Sequence, residues 1–571
     1  MSDLGPPAAL IGILVRLRKE LLDNDLLLET GHSRHARQQR YELVQQLDDY
    51  IIPRLVQFDA PLLTVVGGST GAGKSTLVNS LVGTTVSATG VLRPTTRSPV
   101  LVHRLDDASW FGADRLLPEL VRTSRATGDH SSLQLVATDR LPPGLAILDA
   151  PDLDSVEEQN RALAAQLLAA ADLWLFVTSA ARYADQVPWG FLQAAAERGT
   201  AVAVVLDRTD PAAVREVSSH LARMLTARGL GDSPLFAVPE SAVDDGRLAP
   251  GAVAPIRAWL DTLAADATER ATVVRKTLDG AISSLGRRTR EISEALRTQQ
   301  QIHDQLRADV CRAYADGLAA VDQASQDGTL LRQEVLARWQ EFVGSGELLK
   351  SLEERVGRIR DRVMHAIHGR PAPTQRLAVA LESGLELLVV EQAEASAERA
   401  ALAWQALPAG AALLDSATTD LSRASRDLRS RAQGAAGDWQ QGLLELVRTE
   451  GSDRRTSANF LAYGVNGLGV ALMTVIFAPT AAVRGAEVGV AGGVAVVGQK
   501  ILEAVLGDQA VRRLTEAARR DLHARVAALL DSERQRFLAV LDLHPIHPGA
   551  AQRVLDLARE VDDVRWAEDA L

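Results

Sequence analysis

The chain has a single cysteine, Cys311, in 571 residues, so no internal disulfide is available and a reducing compartment suits it. It also lacks a basic excess. Lysine and arginine number 62 against 73 aspartates and glutamates, a net charge of -11, which argues against a broad face for nucleic-acid backbones; no nucleic-acid partner is expected. A secretory leader pattern is missing too: the apolar run Ala8 to Val15 has no basic segment before it and meets Arg16, Arg18 and Lys19 directly, so a cytoplasmic setting is expected. Proline is absent from Ile256 to Arg370, where alanine, leucine, glutamate and arginine dominate, which reads as long helices.

What is present is most specific near residue 70. Gly68-Ser69-Thr70-Gly71-Ala72-Gly73-Lys74-Ser75 follows the apolar run Leu62 to Val66 and precedes a helical pattern from Thr76 to Leu81, the strand, loop and helix context in which such a loop holds phosphate. The glycines let successive backbone N–H groups curl around a polyphosphate, Lys74 would neutralise the β- and γ-phosphates, and the Ser75 hydroxyl would hold Mg²⁺. Gly68 to Thr76 are therefore expected to contact a nucleoside triphosphate. A glycine turn with no ligand is the alternative, and eight constrained positions in the right context rarely arise by chance.

Later segments suggest which triphosphate. Pro94-Thr95-Thr96-Arg97-Ser98-Pro99 leads into Val100 to Val102, placing Thr96 where a GTPase keeps a switch threonine that closes on Mg²⁺ and the γ-phosphate. The run Leu145 to Leu148 ends in Asp149, which would reach Mg²⁺ through a water. The strand Ala201 to Leu206 ends in Asp207-Arg208-Thr209-Asp210, the place of a guanine-reading segment: Asp210 would accept from guanine N1 and N2, and the Arg208 stem would cover the base. Phe236 to Pro239, followed by Glu240-Ser241-Ala242, reads as the last base-contacting loop.

With these residues in this order, Leu62 to Ala264 resembles the Era-like and dynamin-like P-loop GTPases, and Thr96-Arg97-Ser98-Pro99-Val100 is particularly similar to the dynamin switch. The resemblance implies an α/β P-loop G domain with a mostly parallel sheet and helices on both faces. It also implies GTP and Mg²⁺ as ligands, with Lys74 and Thr96 serving catalysis. The chain departs from the pattern at three places. Asp152 stands where glycine is usual, and Asp207 stands where asparagine or threonine is usual and cannot donate to guanine N7. Thr70-Gly71 replaces the polar pair, such as Gln-Ser, that dynamins generally carry.

A G domain of about 200 residues leaves several hundred to do something else. Val274, Leu278, Ile282, Leu285, Ile292, Leu296, Leu306 and Val310 recur at helical steps and make one apolar stripe. Leu10 to Leu28, Ala36 to Leu55 and Ala510 to Leu541 are similarly amphipathic, so helices from both ends of the chain are expected to join those after Ile256 in an all-α helical-bundle stalk. Pro371, Pro373 and Pro408 mark breaks. Residues 105–140 read as an insertion between strands, and Tyr183 to Trp189 as a loop and helix start with Trp189 packing on the sheet.

From Thr456 through Val483 no charged residue occurs, and Phe460 to Pro479 is long enough to cross a bilayer core. Val488 to Gly498 continues apolar, glycines at 464, 467, 469, 485, 489, 492, 493 and 498 allow close helix approach, and Arg454, Arg455, Lys500, Arg512 and Arg513 flank the pair. A membrane-inserted hairpin is expected, against the alternative of a buried glycine-rich hairpin in a helical bundle, because a bundle helix normally keeps a polar face.

The expected organisation is N-terminal helices 1–58, G domain 59–264, helical stalk 265–455, apolar hairpin 456–506 and returning C-terminal helices 507–571. That order resembles bacterial dynamin-like proteins of the actinobacterial type with a C-terminal membrane hairpin. The resemblance implies a GTPase at the cytoplasmic face of the cell membrane that couples nucleotide state to membrane lipid binding or remodelling, with a homo-oligomer or a paralogous GTPase as partner. The other reading is an Era-like regulatory GTPase acting on a protein or ribosomal partner.

Overall fold

Apolar residues alternate along the strands of the first half of the chain, and both resulting faces are buried. The computed structural model describes residues 8–89, 98–113, 115–127, 129–155, 157–197, 199–327, 330, 373–451, 458–477 and 490–569. Among the described residues there are eight strands: β1 Leu62–Gly68, β2 Val100–His103, β3 Val121–Thr123, β4 Ser132–Ala137, β5 Leu145–Asp149, β6 Leu173–Ser179, β7 Ala201–Thr209 and β8 Leu235–Pro239. They form one sheet in the order β3-β4-β2-β5-β1-β6-β7-β8, parallel throughout except where β2 meets β5. Leu63, Val65, Leu148, Trp174, Phe176 and Val204 enter one core, while Leu62, Val66, Ile147, Leu175, Val177 and Val205 enter the other. That period of two is what a sheet covered on both sides requires.

Helices supply the cover. On the first face lie Glu158–Ala169, Gln186–Glu197 and Val214–Thr226, through Leu163, Leu167, Leu192 and Leu221. On the second lie Lys74–Val82 and Pro250–Ala265, through Leu77, Val78, Ile256 and Leu260. The expected mostly parallel sheet with helices on both faces is therefore present. The segment 105–140 contributes a 3-10 turn, Leu105–Phe111, the edge strand β3 and its neighbour β4. Trp189 is buried in the core of the first face, with its ring N–H donating to the Tyr183 carbonyl at 2.8 Å.

The chain divides into two units: Met1–Leu26, His32–Thr298 and His547–Leu571 form the first, Leu27–Gly31 and Gln299–Ile546 the second. In the first unit, helices Ala8–Asp23, Ser33–Gln46 and Ala550–Asp569 pack on the early part of the long helix Ala267–Gln326 through Leu14, Leu17, Leu43, Leu285, Ile292 and Val554. Segments from both ends of the chain thus meet there. Asp172, at the start of β6, ties them to the sheet: it accepts from the Leu63 N–H at 2.8 Å and pairs with Arg54 at 3.0 Å, while its carbonyl accepts from the Thr277 hydroxyl at 2.9 Å.

The second unit is helical, built on Pro373–Gln405, Leu428–Glu450 and Asp508–Asp542 with the remainder of the long helix. Its core holds Trp404 edge-on to Phe537, with ring centroids 5.3 Å apart, and Trp439 against Phe477 at 5.5 Å.

The described part of 456–506 does not support the expected membrane crossing. Among the described residues no helix is long and apolar enough to cross a membrane. The helices Ala458–Ile476 and Val490–Leu506 belong to the core of the second unit, where Leu468, Leu472, Ile476, Phe477 and Leu502 are fully buried. The glycines serve that packing. A Cβ on Gly469 would stand 2.4 Å from the Leu444 side chain, and one on Gly498 would stand 2.7 Å from the Thr474 hydroxyl. Hydropathy reports how strongly a segment leaves water, and a bundle core satisfies it as well as lipid does. Residues 478–489, between the two helices, lie outside the described residues.

Candidate phosphate-binding site

The loop between β1 and the helix Lys74–Val82 lies at the carboxyl ends of the parallel strands, the edge where open α/β sheets bind ligands. Two glycines there have steric reasons. A Cβ on Gly68 would fall 2.0 Å from the Val177 carbonyl, and Gly73 has φ +93° with its Cβ position only 2.3 Å from a carboxylate oxygen of Asp207. Larger residues would push the loop off the neighbouring strands.

Lys74 is buried, with its ammonium 3.1 Å from the Gly68 carbonyl and 3.2 Å from the Ser69 carbonyl, and it forms an ion pair with Asp152. Asp152 thereby finds a place in this chain: a carboxylate rests on the lysine that would otherwise face phosphate. Asp154, two residues on, accepts from both the Thr70 backbone N–H and the Thr70 hydroxyl, and pairs with Arg182 at 2.9 Å. Burial raises the Asp154 carboxyl, but the Thr70 bonds and the Arg182 charge outweigh it and hold the group below its ordinary value. Neither pairing is visible in the loop motif, because the partners are about 80 and 110 residues away in sequence.

Asp149 is fully buried at the end of β5. One carboxylate oxygen accepts from the Ser75 hydroxyl at 2.6 Å and from the Ser87 hydroxyl, while the other has no hydrogen-bond partner among the described residues. Burial pushes its carboxyl above the ordinary range, against the bonds from Ser75 and Ser87 and the charge of Lys74. A buried carboxylate oxygen without a partner, beside a loop serine, fits a divalent cation held by few protein ligands and completed by phosphate oxygens and water. Ser87 was not evident as a site residue. Asn79 positions it: the Asn79 amide oxygen accepts from the Val86 and Ser87 N–H groups at 2.8 and 2.9 Å, and its NH₂ donates to the Ser87 carbonyl at 2.9 Å.

The remaining loop positions follow the backbone. Ser69 and Ala72 are buried, with the Ala72 N–H donating to the Ser69 carbonyl at 3.1 Å, whereas Gly71 is exposed and Thr76 half-buried. Thr96 lies outside the described residues.

Near the end of β7, Asp207 is buried against Gly73, and burial raises its carboxyl. Arg208 is exposed at φ +52°, and Asp210 is exposed with one carboxylate oxygen accepting from the Ala212 N–H at 2.9 Å. The Glu240 N–H donates to the Thr209 carbonyl at 3.1 Å, bringing the exposed Ser241 and Ala242 alongside that segment. The structure thus collects Gly68 to Thr76, Asp149, Asp207, Arg208, Asp210, Ser241 and Ala242 along one edge of the sheet.

No family model matches the chain, and no curated protein does. Among solved structures, two of an oligomerised bacterial dynamin pair, described as a mechanism for long-range sensing and tethering of membranes, are 10% and 11% identical to it. Their TM-scores are 0.40 and 0.41, over 99% and 98% of this chain and 96% of each of theirs. The LeoA bacterial dynamin GTPase from ETEC is 11% identical, with a TM-score of 0.24 over 98% of this chain and 97% of its own. At such identities and scores the likeness carries no argument about activity.

Proposed function

We propose that the chain binds GTP with Mg²⁺ at the loop Gly68 to Thr76 and hydrolyses it. The observation that carries this reading is Asp149, a fully buried carboxylate bonded to the loop serine Ser75 and left with one oxygen free of partners. Lys74, which exchanges Asp152 for the β- and γ-phosphates, supplies the charge that binds the triphosphate. Ser75, and Asp149 through a water, would hold the metal, which would offset charge on the phosphates. Asp210 gives guanine preference by accepting from the base, and Ser241 and Ala242 close its edge. Thr96 is the residue we assign to closing over the γ-phosphate. Mg²⁺-dependent binding of a fluorescent GTP analogue, set against ATP and GDP, with phosphate release followed in the same samples, tests the reading.

The long helices are, in this proposal, a stalk through which nucleotide state acts on a membrane surface or on a second GTPase chain at the cytoplasmic face. What supports that part is the order along the sequence: P-loop domain, long helices, uncharged stretch, returning helix. One observation favours a second reading, a regulatory GTPase that acts on a protein or ribosomal partner: the uncharged stretch supplies core residues to the helical unit. Flotation with liposomes in the GTP-analogue and GDP states separates the two.

A further inference from the structure

Asp154 holds three donors on one carboxylate: the Thr70 backbone N–H, the Thr70 hydroxyl and the Arg182 guanidinium. A backbone N–H of the phosphate loop, a hydroxyl and a guanidinium are also the donors that cradle a phosphoryl oxygen. Arg182 already touches the loop, since its guanidinium donates to the Thr70 carbonyl at 3.1 Å as well. Its side chain is 39% exposed, so it can leave Asp154 without opening a core. Its backbone, by contrast, is fixed. The Arg182 and Tyr183 N–H groups both donate to the Ser179 carbonyl at 2.9 Å, closing a turn at the end of β6, and the next residue is anchored by the bond from the buried Trp189 ring to the Tyr183 carbonyl. A mobile cationic head on a fixed turn, at the rim of the loop, is the arrangement that places charge where it develops during phosphoryl transfer.

We propose that Arg182 is an arginine supplied in cis to the phosphate site, and that Asp154 holds its guanidinium until the triphosphate takes the carboxylate's place. This rests on the nucleotide-binding reading above and deepens it. A triphosphate at the loop brings negative charge against both Asp152 and Asp154, so the carboxylates yield the Lys74 and Thr70 donors and Arg182 turns to the phosphates. In the reaction, a water oxygen bonds to the γ-phosphorus as the bond from that phosphorus to the bridging oxygen breaks. The electron pair leaves on the β-phosphate of GDP, and the water proton passes to the released phosphate. Arg182 offsets charge on the bridging and γ oxygens.

Arg182→Met and Arg182→Lys in the full chain test this, with helicity checked by circular dichroism. Arginines of this kind are worth about 10³-fold or more in turnover, so the methionine variant should lose about that factor in kcat, keep GDP affinity within about threefold, and fail to trap GDP with aluminium fluoride. Added guanidinium ion should restore part of the methionine variant's turnover, and lysine should restore little. Hydrolysis and aluminium fluoride trapping at parental levels in Arg182→Met would overturn the proposal. So would a parallel loss of GDP affinity and turnover with no guanidinium rescue, which marks a structural ion pair. A parent chain that binds no nucleoside triphosphate would remove the nucleotide reading itself, and this inference with it. A parent that hydrolyses GTP beside an equally active variant removes only the arginine.

Discussion

Lys74 and Asp152 form an ion pair inside the phosphate loop's own binding space, with the lysine side chain 5% exposed and the aspartate 19%. In the proposed function a triphosphate would compete with this carboxylate for one ammonium. Asp152→Asn should therefore tighten a non-hydrolysable GTP analogue by about tenfold, equivalent to about 1.4 kcal/mol, while changing GDP affinity less. Titration with the fluorescent analogues reads this directly, and weaker analogue binding would show that Asp152 assists the ligand instead of excluding it.

Asp149 gives a metal-specific outcome. Its unpartnered oxygen and its contact with Ser75 should make Mg²⁺ strengthen GTP binding in the parent. In Asp149→Asn that Mg²⁺ dependence should shrink by about tenfold, since charge on the liganding group is lost, and binding measured with EDTA should change little. Equal Mg²⁺ dependence in both proteins would place the cation elsewhere.

Asp49 predicts a pH effect on stability. It is 3% exposed, accepts from the Gln166 amide at 2.9 Å, and burial, with the charges of Glu119 and Asp48, pushes its carboxyl from 3.8 up to about 6. The folded chain therefore prefers the protonated group. The stabilisation is complete below pH about 4 and is lost as pH rises through about 6, a difference of roughly 3 kcal/mol. Asp49→Asn should raise the thermal midpoint relative to the parent at pH 7.5, and the gain should vanish near pH 4. A gain of equal size at both pH values would argue against titration of Asp49 as its source.

Leu472 is fully buried in the helical unit. Leu472→Arg would place a charge among Leu468, Ile476 and Phe477 and should destabilise that unit by about 4 kcal/mol or more. Lost helicity or aggregation is the expected sign, with the fluorescent GTP analogue still bound by the first unit. An unchanged melt, accompanied by lost liposome association, would return the segment to the membrane.

The strand, loop and helix around Gly68 to Ser75, the apolar runs that form the strands and the N-terminal helices were legible in the sequence because each is written in a short or periodic local pattern, whereas Ala510 to Leu541, expected beside the N-terminal helices, belongs to the second unit and Ala550–Asp569 takes that place. Asp149 was legible for the same reason, as the acidic end of an apolar strand. Its neighbour Ser87 was not, since Asn79 brings it there through bonds that no spacing rule foretells. The departures Asp152 and Asp207 were visible as residues but not as contacts. Their partners, Lys74 and Gly73, face them only once strands β5 and β7 flank β1 and β6. The stretch 456–483 admitted two readings because its lack of charge is shared by lipid-facing and core helices. What distinguishes them here is the approach of Gly469 to Leu444 and of Gly498 to Thr474, which only tertiary structure reveals.

Equilibrium binding of a fluorescent GTP analogue to the full chain in Mg²⁺, beside Lys74→Ala, tests the central claim most directly. The account predicts saturable binding by the parent, competed by GTP and GDP but poorly by ATP. It also predicts at least a hundredfold loss in Lys74→Ala, about 2.7 kcal/mol on the scale of 1.4 per decade, with unchanged helicity. Absence of binding by the parent, or equal binding by the lysine variant, would contradict it.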